Sequence, residues 1–119
     1  MIIYTIGHSA HEISEFIAFL KSFKIQMLAD VRSIPGSRYA PQYNEENLEK
    51  SLKESGIKYL RIPRLGGRRK SSRLEDYALV AGWKNKSFKN YAAYALTDEY
   101  EKGIAELLSL AEKNAVCIM

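Results

Sequence analysis

The chain has 119 residues, 46% apolar and 27% charged, which predicts one globular domain burying roughly two thirds of its unfolded surface. No apolar run approaches the roughly 20 residues of a membrane span, and a single cysteine excludes an internal disulfide framework. A net charge of +4 points to a partner bearing phosphates or carboxylates, an anionic small molecule or a nucleic acid, with no membrane, metal or cofactor implied.

Residues 2–6 are an apolar, β-branched run that stops at Gly7, which predicts a central buried strand with Gly7-His8-Ser9 as the turn at its carboxyl end. No basic leader precedes it, and with one cysteine the chain fits a reducing cytoplasm. Ile13, Phe16, Ile17 and Leu20 then recur at helical spacing, ending near Lys24. Ser9 and Glu12 fit a capping box for this helix, with Glu12 or Ser14 as the alternative start.

Residues 25–31 read as a second short strand, followed by a loop over 32–43 punctuated by Pro35, Gly36 and Pro41. Asn44 caps the next helix, which carries Leu48 and Leu52 on one face, and Gly56 terminates it. Residues 57–62 are a third strand, ended by Pro63. Residues 63–86 lack strong periodicity apart from a short helix from Ser72 to Ala81, and connections this long act as lids or mobile loops. Ser87 starts a helix with Phe88, Tyr91, Ala92 and Ala95 on one face. Thr97 starts another, with Tyr100, Ile104, Leu107, Leu108 and Ala111 as its buried stripe. Residues 115–119 form a fourth strand.

The order β-α-β-α-β-α-α-β predicts a single α/β domain over residues 1–119. Its sheet is mostly parallel and four-stranded, Rossmann-like, with helices on both faces. Adjacency and right-handed crossovers favour strand order 3-2-1-4, with the first strand inside. The switch point would then fall between strands one and four, beside His8 and Ser9.

The polar residues gather on the carboxyl edge of such a sheet. His8 offers proton transfer, since an unperturbed imidazole titrates near neutrality. The blander alternative is that Ser9 caps the helix and His8 bonds a backbone carbonyl. Asp30 and Arg32 alternate along a strand end, so they share a face and can pair, either as a structural ion pair or to orient a ligand. Ser33, Ser37 and Arg38 add donors to that loop.

Residues 61–73 hold six basic side chains, among them Arg64, Arg68 and Arg69, and no acidic one. Gly66 and Gly67 allow close backbone approach or an anion-binding nest. The alternative is a solvated basic loop. Tyr39, Tyr43, Tyr77 and Trp83 flank these residues and either stack on bases or pack as lid and core. Cys117, between apolar neighbours, reads as buried and inert.

Thr5-Ile6-Gly7-His8-Ser9, Asp30-Val31-Arg32-Ser33 with Pro35 and Ser37-Arg38, and Leu65-Gly66-Gly67-Arg68 form an ordered set of motifs. Trp83, Asn85, Ser87-Phe88, Tyr91-Ala92 and Tyr94 continue the series. The set resembles the family of domain of unknown function 488. The resemblance implies a compact α/β domain. It also implies a Cys-Ala-Glu segment and then Cys-His-Arg after the last strand, so that residue 119 would truncate the family domain; Cys117 is no substitute for those residues. It implies a site and no particular reaction.

Two functional expectations stand side by side. One is an enzyme acting on a nucleotide, nucleic acid or other phosphorylated substrate, with His8, Ser9 and Asp30 in catalytic roles. The other is a non-catalytic nucleic-acid binder, or a protein-interaction domain, using the basic loop over 61–73.

Overall fold

In a computed structural model, which describes residues 1–36, 38–67, 82 and 86–119, eight main elements follow in chain order. They are β1 (Ile3–Thr5), α1 (Ile13–Ser22), β2 (Met27–Asp30), α2 (Glu45–Glu54), β3 (Lys58–Arg61), α3 (Lys86–Tyr94), α4 (Asp98–Lys113) and β4 (Val116–Ile118). Short 3-10 turns at Pro41–Tyr43 and Pro63–Leu65 follow the loops after β2 and β3. Ser37, Arg68, Arg69, Tyr77, Trp83 and the helix expected from Ser72 to Ala81 lie outside the described residues.

Local chemistry accounts for the helix ends. Thr97 caps α4, its hydroxyl accepting from the Tyr100 amide at 3.4 Å. Asn44 takes the N-cap position of α2, and Glu45 and Glu46 sit in its first turn, favourable beside the positive end of the helix dipole. Gly56 follows that helix with φ of +78°, a left-handed conformation that glycine adopts without steric cost. The start of α1 differs from the expected capping box. Ser9 has φ of +49° in a turn closed by the His11 amide on the His8 carbonyl, so the helix begins only after Glu12.

Among the described residues the sheet has the four strands that the sequence predicts, and all of them are parallel. Its order is β1-β4-β2-β3, which corrects the expected 3-2-1-4 and puts β1 at a border. The last strand is inserted between the first two, with Ile3 beside Val116 and Val116 beside Met27. The reason lies in burial. An inside strand of a parallel sheet must be apolar on both faces. Val116 and Cys117 meet that condition at 0% and 2% exposure, whereas β1 brings an exposed Thr5 and follows a largely exposed Ile2.

Alternation along the strands sends side chains to two cores. Leu28 and Cys117 meet Phe16 and Leu20 of α1 and Leu48 and Leu52 of α2 on one face. Met27, Ala29 and Val116 meet Leu107 and Ala111 of α4 on the other. Each fully buried side chain of this kind contributes about 1.5–3 kcal/mol. The split matters for function: α2, which follows β2, packs on one face, and Leu65, just after β3, packs with α4 on the other.

Candidate functional site

Where loops leave adjacent parallel strands toward opposite faces, a crevice opens at the carboxyl edge. The observed order places that divergence between β2 and β3, not between the first and fourth strands as the sequence predicts. A cavity of about 290 Å³ lies there, lined by Arg32, Ser33, Ile34, Gly36 and Gly67. Arg32, Ser33 and Gly67, three of the predicted site residues, therefore share one pocket.

Its base is a buried ion pair. Asp30, the last residue of β2, has no exposed surface. Arg32 Nε donates to Asp30 Oδ1 at 2.9 Å and Nη2 to Oδ2 at 2.8 Å, while the Arg32 amide donates to Oδ1 at 3.1 Å. The Tyr59 hydroxyl, projecting from β3 on the same face, donates to Oδ2 at 2.6 Å. Burial alone would raise the Asp30 pKa, but the bonds from Arg32 and Tyr59 and the charge of Arg32 outweigh it and hold the carboxyl below its ordinary value. Burial likewise works against the charge of Arg32, and Asp30 more than restores it. Burial and the bond to Asp30 both push the Tyr59 phenol upward, so it stays a donor. A carboxylate so engaged is a weak base, and its chemistry is to aim Arg32.

Arg32 Nη2 donates a second bond, to the Tyr43 carbonyl at 2.7 Å. Arg61, paired in register with Asp30, donates from Nη2 to the Arg32 carbonyl, and its buried Nε has no partner among the described residues. The Arg61 guanidinium thus braces the backbone of Arg32, whose side chain lines the cavity.

The second wall is fixed by Gly66. A Cβ there would lie 2.5 Å from Ser33 Oγ and 2.6 Å from the Val31 carbonyl oxygen, distances no side chain tolerates. Ser33 then donates its hydroxyl proton to the Gly67 carbonyl, tying the loop after β2 to the loop after β3. Ile34, 60% exposed, adds an apolar surface beside these polar groups.

His8 stands on the other side of Tyr43. Its ring stacks on the Tyr43 ring with centroids 4.4 Å apart and planes 21° from parallel. His8 Nδ1 lies 2.5 Å from the Ser9 carbonyl oxygen. Nδ1 as donor is the tautomer that satisfies this contact, leaving Nε2 as the acceptor of the neutral ring. The backbone-bonding alternative for His8 therefore describes the geometry, and it also presents a base. Ser9 is exposed and contributes its carbonyl.

Two predicted anion ligands lie apart from the pocket lining. Arg64 Nε pairs with Glu99 Oε2 of α4 at 3.2 Å, and both side chains are about half exposed. Arg38 is exposed. Cys117 is buried, and burial pushes its thiol up to about 11, as expected of an inert core cysteine. Sequence reasoning missed Tyr43 and Tyr59 as part of this network. Tyr59 had a usable signal: strand alternation puts it on the Asp30 face. Tyr43 had none, because the atom that meets Arg32 is a backbone carbonyl.

Among the described residues, no helix is long and apolar enough to cross a membrane, and no group of three or more His, Cys, Asp or Glu side chains is placed to hold a metal. Residues 12–119 match the family described as domain of unknown function DUF488. No curated protein and no solved structure matches the chain.

Proposed function

We propose, for a chain that belongs to the DUF488 family, that the crevice between β2 and β3 binds a small phosphorylated molecule and that His8 acts on it as an acid or base. The observation carrying this reading is that a guanidinium aimed by a buried carboxylate lines the cavity at the point where the two loops part. Phosphate is the preferred group because the guanidinium donors of Arg32 match its oxygens. Ile34 favours a phosphate ester with an apolar or aromatic portion, such as a mononucleotide, over phosphate alone. The cavity suits a small ligand better than an extended nucleic-acid track. A reducing cytoplasm is the compartment this reading assumes.

Calorimetric titration with AMP tests it. Binding to the wild type is expected, weakened by about 10- to 100-fold in Arg32→Lys, the loss of one charge-assisted hydrogen bond. Turnover of AMP, followed as release of phosphate or base, is expected to vanish in His8→Ala while binding persists. Absence of AMP binding, together with affinity for oligonucleotides that falls steeply with salt, would replace this reading with a nucleic-acid-binding role.

A further inference from the structure

Tyr43 is buried, yet its three polar or aromatic attachments lead to three different parts of the site. Its carbonyl accepts from Arg32 Nη2 at 2.7 Å. Its ring lies against the His8 imidazole on one side and receives the edge of Phe16 at 5.1 Å and 73°. Its hydroxyl donates to the His11 carbonyl at 2.6 Å, at the end of the turn that carries His8. Filling the core needs only the ring, which phenylalanine would supply. The hydroxyl serves the turn instead, and burial raises the phenol so that it remains protonated and donating.

We infer that Tyr43 is the positioning residue of the site, one side chain and its carbonyl holding the His8 imidazole and the Arg32 guanidinium in a common frame. The inference rests on the proposed roles of those two residues. Imidazole and guanidinium come from loops after different strands, and His8 follows the border strand β1, two positions from β2 in the sheet. The strand pairing fixes only the roots of the two loops, the Ile6 amide on the Ile118 carbonyl and the Val31 amide on the Met119 carbonyl, and the imidazole and guanidinium beyond those roots meet through a bridging element. Tyr43 provides that element, because its backbone is fixed by the 3-10 turn Pro41–Tyr43 and its ring is wedged between α1 and the His8 turn. Catalysis by groups from separate loops depends on such alignment.

The test is proton NMR of the histidine rings in the wild type, Tyr43→Phe, Tyr43→Leu and His8→Ala, with phosphate affinity measured alongside. In the wild type the His8 ring protons are expected upfield of those of His11, which is exposed and stacks on no ring among the described residues. Tyr43→Leu should bring His8 to the His11 position and lower kcat for AMP with KM held. Inorganic phosphate affinity should stay within about twofold, because the bond to Arg32 comes from the backbone. Tyr43→Phe should keep the upfield shift with broader His8 lines, since the ring stays and the tether to His11 goes. His8→Ala, a change at a half-buried turn that leaves the core intact, should move the Tyr43 ring resonances even where Tyr43→Leu fails to fold. His8 resonances that coincide with those of His11 in the wild type, or Tyr43 resonances unmoved by His8→Ala, would overturn the inference. Failure of phosphate and AMP to bind the wild type would instead remove the proposed function and leave the ring shifts as they are.

Discussion

Replacing Asp30 by asparagine probes the base of the site. The carboxylate accepts four bonds, three from Arg32 and one from Tyr59, with no exposed surface of its own. Asparagine keeps one acceptor oxygen and puts an NH2 group where Arg32 Nη2 and the Tyr59 hydroxyl donate, so at least one donor faces another. It also removes the charge opposite the guanidinium of Arg32, a side chain only 18% exposed. Removing one partner of a buried pair costs about 3–5 kcal/mol, and the partial exposure of Arg32 argues for the lower end. With a urea m-value of about 1–3 kcal/mol/M, a loss of about 3 kcal/mol lowers the unfolding midpoint by roughly 1–3 M.

The pH dependence gives the sign of the effect. The folded pKa of Asp30 lies below its ordinary value of 3.8, so on acidification the unfolded chain takes up the proton first. The stabilisation is therefore complete above that value and lost as pH falls through the folded pKa. Urea melts followed by circular dichroism at pH 7 and pH 3 should show the gap between wild type and Asp30→Asn narrowing in acid. A loss under about 1 kcal/mol at pH 7, or a gap that stays constant, would refute the assignment of Asp30 as the charged anchor of Arg32.

Three further outcomes follow from the packing. Gly66→Ala should destabilise by about 1–3 kcal/mol in urea melts, because the new methyl group meets Ser33 Oγ and the Val31 carbonyl, and should also weaken AMP binding. Cys117 should resist a thiol reagent at pH 8 until the protein unfolds, its thiol being buried and pushed up to about 11; labelling faster than unfolding would contradict its placement. Arg64→Ala should cost less than about 1 kcal/mol, since its pair with Glu99 is half exposed, and should leave AMP affinity unchanged because Arg64 does not line the pocket.

The sequence was most legible where contacts are local. Helical spacing of Phe16 and Leu20, the Thr97 cap and the Gly56 stop all follow from residues within a turn or two of each other. The Asp30–Arg32 pair is equally local, two residues apart on one strand end. Strand order was not legible, because it depends on where β4 inserts after a long return from β3. Sequence adjacency favours placing β1 beside β2. The greater burial of Val116 and Cys117 won, and with it the crevice moved from His8 to Arg32 and Ser33. The same distance in sequence hid the diversion of Arg64 to Glu99 and the bridge from Tyr43 to both His8 and Arg32. Among the described residues, Tyr43 touches both His8, through its ring, and Arg32, through its carbonyl.

The measurement closest to the central claim is a titration of isotope-labelled protein with AMP, read at backbone amides. Saturable shifts are expected, concentrated at Ser33, Ile34, Gly36 and Gly67, which line the cavity with Arg32. Shifts confined to other surfaces, or none at millimolar AMP, would contradict that claim.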